Sequence, residues 1–192
     1  MTGTVGSGAM WATRYRVRDL IDIARLIEEL EWDRLDLSVP LQEQNNWCWA
    51  ATSDGIAHYY DSSSTWTQCQ IANTTLGRTD CCAGGASGAC NVPYYLGNAL
   101  STVAHFDHWE SGAAAFQVVD DEIDAKRPLC VRIGWSGGGG HFIAIGGYRD
   151  IGGGQHVHVE DPWYGPSDLA YSTLVSAYQS TGSWTDTYWT KT

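Results

Sequence analysis

From residue 129 onward the sequence changes character, and that change limits the available folds more than any other feature. LCVRIGW (129–135), HFIAIGGYRD (141–150) and QHVHVED (155–161) are β-type runs, the second alternating in hydropathy. IGGG (151–154) joins the last two. A short glycine-rich link between such runs marks a hairpin, so these strands are expected to be antiparallel. Tyr, Trp and Thr dominate 171–190, which reads as one or two further strands.

Ahead of this point the signals are helical. DLIDIARLIEEL (19–30) carries apolar residues at 20, 21, 23, 26, 27 and 30 behind Asp19, a good N-cap, and predicts an amphipathic helix. It serves either as a packing helix or as a pro-segment over an active site. Helices are also expected at 48–60, at 94–106 and, ended by Pro128, at 120–128. The stretch 61–92 reads as a long polar loop. Helices first and antiparallel strands second predict an α+β fold in two lobes. The expected organisation is a flexible or tag-like segment at 1–17, a helical segment at 18–36 and a catalytic domain at 37–192.

Composition removes several function classes. With 43% hydrophobic and 17% charged residues in 192, the chain is globular and long enough for one core. A net charge of −11 and only 11 Lys and Arg speak against nucleic acid, which requires clustered basic residues. No run reaches the roughly 18 apolar residues of a membrane span, and the N-terminus lacks the apolar core of a secretory signal. Of six cysteines, Cys69, Cys81, Cys82 and Cys90 crowd one glycine-rich stretch and are disulfide candidates. With no C-x-x-C pair and no adjacent histidine, a metal site is not expected there. Cys130, in a strand-like run, is expected to be a small buried hydrophobe.

Cys48 is different. In QNNWCWAATSDGIAHYY (44–60) it follows polar amides at the mouth of an expected helix, which Asn45 or Asn46 could cap. The macrodipole and free amides at such a mouth favour a thiolate. A nucleophilic thiol needs a base, a group that orients the base, and donors for an oxyanion. His141 opens a strand behind GWSGGGG (134–140), where side-chain-poor backbone leaves room for a substrate. His58 lies too far along the Cys48 helix, His105 and His108 fall in a polar loop, and His156 and His158 alternate on a strand. His141 is therefore the expected base. Asp161, at a strand end before Pro162, is the expected orienting carboxylate, whereas Glu160 points to the opposite face. The Cys48 amide would supply one oxyanion donor, and either Gln42 or Gln44 a second.

These residues resemble those of the papain-like cysteine peptidases, in which the order is Gln, Cys-Trp, His, then Asp or Asn. The family's oxyanion glutamine lies six residues before the nucleophile, so the resemblance selects Gln42. QEQNNWCWAA (42–51), GGHFIAIGGY (139–148) and HVEDPWYG (158–165) are most similar to the AvrRpt2-type branch of bacterial papain-like proteases. The likeness extends, with NVPYYL and TYWTK, over about 37–192. It implies a two-lobed papain-like fold, with the nucleophile helix in one lobe and an antiparallel β lobe carrying the base. It also implies an endopeptidase acting on protein or peptide, as a monomer without cofactor. Trp49, Gly139, Gly140 and Trp163 are then expected at the substrate cleft. The cysteine-rich 69–90 fits secreted relatives, so a secreted or translocated effector is expected. The competing readings are an acyl transferase on the same triad and a catalytically silent binding module.

Overall fold

The computed structural model describes residues 32–83 and 88–192. The helix expected at 19–30 and the segment 1–17 lie outside the described residues. Residues 32–36 belong to the body of the fold, since the short strand β1 (Asp33–Arg34) pairs with the central sheet.

The first long element is α1 (Cys48–Tyr60), where a helix was expected. Every residue from Cys48 to Ala57 is buried. α1 is therefore a central helix rather than a surface one, packed against α2 (Gln68–Leu76), α3 (Leu96–Thr102) and the strand β4 (Gly140–Ile151). Its Gly55 is where the extended segment 38–39 crosses. A Cβ there would lie 2.7 Å from Val39 Cγ2 and 2.8 Å from the Ser38 carbonyl, so only glycine lets the two backbones approach.

The other strands are β2 (Phe106–Ser111), β3 (Leu129–Trp135), β5 (Gly154–Glu160), β6 (Ser167–Ala170) and β7 (Gly182–Thr190). With β4 they form one antiparallel sheet in the order β2-β7-β3-β4-β5-β6, and β1 joins β4. β4 and β5 meet through the expected hairpin at 151–154. Helices α4 (Phe116–Asp124) and α5 (Tyr171–Ser176) pack on the sheet. The fold is α+β, with a helical lobe bearing α1 and an antiparallel β lobe.

Four local expectations need correction. The expected loop 61–92 contains α2, and the expected loop around His105 and His108 contains β2, an edge strand paired to β7. The helix expected at 120–128 starts at Phe116 and ends at Asp124, burying Phe116, Val119 and Ile123 on one face. In 171–190 one expected strand is present as β7, but α5 precedes it where a second strand was possible, burying Leu174.

Candidate active site

Cys48 opens α1, and the residues on either side of it are tied to one short segment. The Asn46 backbone N–H donates to Asn91 Oδ1 at 3.0 Å, and its side-chain amide donates to the Asn91 carbonyl at 3.0 Å. Trp47 Nε1 donates to the Cys90 carbonyl at 2.7 Å, and Trp49 Nε1 to that of Val92 at 3.0 Å. Asn46 is thus committed to Asn91 and does not cap α1. Trp47 is the N-cap residue, and no side chain caps the helix. The clamping segment is itself anchored by disulfides Cys81–Cys90 and Cys69–Cys82, which use all four candidate cysteines. Cys48 and Cys130 are free, and burial pushes the fully enclosed Cys130 thiol well above the ordinary thiol range. Asp80, Cys81 and Cys90 gather ligand-type atoms within 4.8 Å, but the two sulfurs are bonded to each other and offer no thiolate to a metal.

His141 is delivered by β4, opposite Ile133 of β3. It is 7% exposed, and its Nε2 donates to Asp161 Oδ1 at 2.8 Å. The ring and Cys48 border the same cleft. With Nε2 given to Asp161, Nδ1 is the nitrogen left for the thiol. Burial disfavours the imidazolium, but the hydrogen bonds and charges of Asp161 and Cys48 outweigh it and raise the His141 pKa to about 9. Trp135 stacks beside the ring, with centroids 6.1 Å apart.

Asp161 follows the last residue of β5 and is fully buried. Its Oδ1 also accepts the backbone N–H groups of Trp163 (2.6 Å) and Tyr164 (3.0 Å), and Oδ2 accepts the Tyr178 hydroxyl (2.6 Å). Burial alone would raise its pKa. The donors, led by His141, overcome that and hold the carboxyl below the usual carboxylate range. Glu160 is turned elsewhere, accepting from His158 Nε2 (3.1 Å) and the Val39 N–H (3.2 Å).

Gln42 lines the same cleft. Its backbone N–H donates to the Pro162 carbonyl (2.7 Å), which docks it beside the loop after Asp161. One side-chain N–H goes to the Gln44 carbonyl (2.7 Å), while Oε1 is buried without a partner. The second amide N–H is left for another acceptor. The Cys48 N–H lies in the first turn of α1, where amides have no intrahelical acceptor.

Cys48, His141 and Gln42 line a cleft of about 370 Å³. Gly139, Gly140 and Trp163 also border it, and Trp163 is half exposed. Trp49 contributes to the wall but is fully buried, so its larger part is packing. A second hollow of about 640 Å³ continues past Gly139 and Gly140.

The other histidines lie elsewhere. His58 faces Asp54 and the Trp66 carbonyl, and His105 stacks on Tyr60. His108 stacks on Trp189, while His156 contacts the Gly154 carbonyl. His158 is not simply strand surface, because it is bracketed by Asp168 and Glu160. Asn91 and Tyr178 were missed from the sequence. Asn91 opens the NVPYYL segment without any chemistry of its own to mark it, Tyr178 lies outside the quoted motifs, and only the tertiary fold brings the two in.

No curated protein sequence matches this chain. Many solved structures share its architecture, two of them as follows. One is digestive procathepsin L 3 of the Tenebrio molitor larval midgut, at 12% identity and a TM-score of 0.51, covering 81% of this chain and 67% of the other. The second, from work on the mite allergens Blo t 1 and Der p 1, is 11% identical with a TM-score of 0.51, covering 80% and 67%. Residues 36–190 match one family model, and on that match the chain belongs to the Peptidase_C39 like family.

Proposed function

We propose that this chain is a cysteine endopeptidase that cleaves protein or peptide substrates with Cys48 as nucleophile, His141 as base and Asp161 as orienting acid. The observation that carries the reading is the placement of His141, which borders one cleft with Cys48 and donates to the buried carboxylate of Asp161. Asp161 fixes the tautomer and ring orientation, and its charge supports the imidazolium. Cys48 gives its proton to His141 and attacks the substrate carbonyl carbon. The carbonyl oxygen becomes an oxyanion within reach of the free Gln42 amide N–H and the Cys48 N–H. As the C–N bond breaks, His141 returns the proton to the leaving amine. Water then attacks the thioester with His141 again as base, releasing the acid and restoring the thiol.

Gly139, Gly140 and Trp163 border the cleft where extended backbone would lie. The motifs around 42–51, 139–148 and 158–165 support kinship with the AvrRpt2-type branch. Two disulfides support an oxidising destination, as a secreted or translocated effector.

Incubation with an unfolded protein substrate, read by mass spectrometry of the fragments, tests the reading. New peptide termini that disappear with Cys48→Ala are expected. Fragments that persist in Cys48→Ala, or none from the wild type, would sink it. Added amines distinguish acyl transfer, since amide products would then replace free carboxyl termini.

A further inference from the structure

The base and its carboxylate are followed by a third buried group that no motif announces. Tyr178 is 1% exposed, and its hydroxyl donates to Asp161 Oδ2 at 2.6 Å. It is the partner of that oxygen, while the other oxygen serves His141 and two backbone amides. Its ring lies beside Trp135, which in turn stacks on His141 and borders the cleft, so the two aromatics pack as a continuous stack behind the base.

The backbone around Tyr178 is built to hold it there. Tyr178 and Gly182 exchange both of their backbone hydrogen bonds, at 2.9 and 2.8 Å. Gln179 and Ser180 between them both have left-handed φ, at 46° and 70°. Non-glycine residues adopt that conformation at a cost and persist in it where the surroundings over-determine them. Gly182 can be nothing larger, because a Cβ would lie 2.5 Å from Ile133 Cγ2 and 2.7 Å from Trp135. A tight, strained turn thus carries one tyrosine hydroxyl to one carboxylate oxygen.

We propose that Tyr178 is a positioning residue of the active site, fixing the carboxylate plane of Asp161 so that Oδ1 stays aimed at His141 Nε2. The inference rests on the cysteine peptidase reading. Without Tyr178 the carboxylate could rotate about its Cβ–Cγ bond and offer His141 a misaligned oxygen, while Oδ2 would be left buried and unpaired. The charged and titratable groups around Asp161 are His141 from β4, Tyr164 from the following turn and Tyr178 itself. Burial first, then the Asp161 charge, push the Tyr178 hydroxyl far above the ordinary tyrosine range, so it remains a donor at every working pH.

Iodoacetamide alkylation of Cys48 across pH, read by mass spectrometry, tests this without a known substrate. Tyr178→Phe is nearly isosteric. Tyr171→Phe is the control, since that hydroxyl donates to the Ala114 carbonyl away from the site. In Tyr178→Phe the His141-dependent alkylation should fall roughly 10-fold at neutral pH, the scale of one hydrogen bond to a charged group. Its acid limb should also move to higher pH, because Asp161 loses a donor that favours its ionised form. Once a substrate is in hand, kcat should fall with KM unchanged. Tyr171→Phe should leave the profile intact. Profiles that coincide for wild type and Tyr178→Phe, or that shift equally in both variants, would reduce Tyr178 to packing. A wild-type Cys48 that alkylates no faster than in His141→Ala would overturn the peptidase reading itself, and this inference with it.

Discussion

The indole N–H of Trp47 donates to the carbonyl oxygen of Cys90 at 2.7 Å, in a fully buried contact that joins the neighbour of Cys48 to a disulfide. With Trp49 bonded to Val92 and Asn46 to Asn91, this explains why Cys48 stands between two tryptophans. Both flanks of the thiol are fastened to one segment, Cys90 to Val92, so the helix mouth cannot drift from the wall of its cleft.

That clamp makes the Cys81–Cys90 bridge matter beyond its own loop. Replacing both cysteines by alanine should cost about 2–4 kcal/mol of stability. Turnover should fall in the same variant, because Asn91 and Val92 lose their anchor. Asn91→Ala should cost about 1 kcal/mol through the bond to the Asn46 N–H. Urea unfolding beside a peptide-cleavage assay checks both. An unchanged midpoint and unchanged turnover in the double variant would show the clamp to be idle.

Gln42 is expected to act after the nucleophile has formed. Gln42→Ala should lower kcat roughly 10²–10³-fold, as loss of an oxyanion donor does elsewhere. Alkylation of Cys48 should continue at the wild-type rate, because no oxyanion arises in that reaction. Equal losses in both assays would mean that Gln42 only supports the local fold.

The pH dependence follows from His141. Its folded pKa of about 9 lies above the ordinary 6.5, so the proton is held more tightly in the folded state. The associated stability is complete below pH 6.5 and disappears as pH rises through 9. Asp161, shifted downward, contributes stability above its ordinary value of 3.8 that is lost as pH falls through its lower folded value. Chemical unfolding of wild type and His141→Ala from pH 6 to 10 should show a gap that closes toward the alkaline end. A gap independent of pH would contradict the buried ion pair.

Gly55→Ala sets two effects against each other. Alanine is better than glycine inside a helix by about 1 kcal/mol. Here, however, the added carbon meets the Ser38 carbonyl at 2.8 Å, and overpacking costs about 1–3 kcal/mol. Backbone cannot step aside as a side chain can, so net destabilisation is expected. Turnover should fall too, because the displaced segment leads to Gln42. A raised melting temperature would show that the crossing is looser than described.

Strands β3, β4 and β5 and the helix α1 were legible because each carries its own pattern: β-branched runs, a glycine-rich hairpin, and a helical segment after polar amides. α2 was not, although its signals exist. Thr67 caps the Gln70 N–H, Gln70 stands three residues after it, and Gly77 ends the helix in a left-handed conformation. Its polar composition and its cysteine obscured them. The i, i+3, i+7 spacing of Phe116, Val119 and Ile123 was also available for α4. Among candidate site residues, Cys48, His141 and Asp161 stood out by chemistry and order in the chain and Gln42 by the family resemblance. The fold sets Cys48, His141 and Gln42 around one cleft with Asp161 buried behind His141. Asn91 and Tyr178 carry no local signature, since each matters only through a partner distant in sequence.

β7 lies in the interior of the sheet, between β2 and β3, although it is the last strand in the chain. Before it inserts, β3 lacks one of its two neighbours, and the turn that presents Tyr178 has no Gly182 to close on. During synthesis the thiol emerges long before the residues that would arm it. On the proposed function, the site would then be complete only once nearly the whole described domain has been made, so an unfinished chain would lack the means to cut its neighbours.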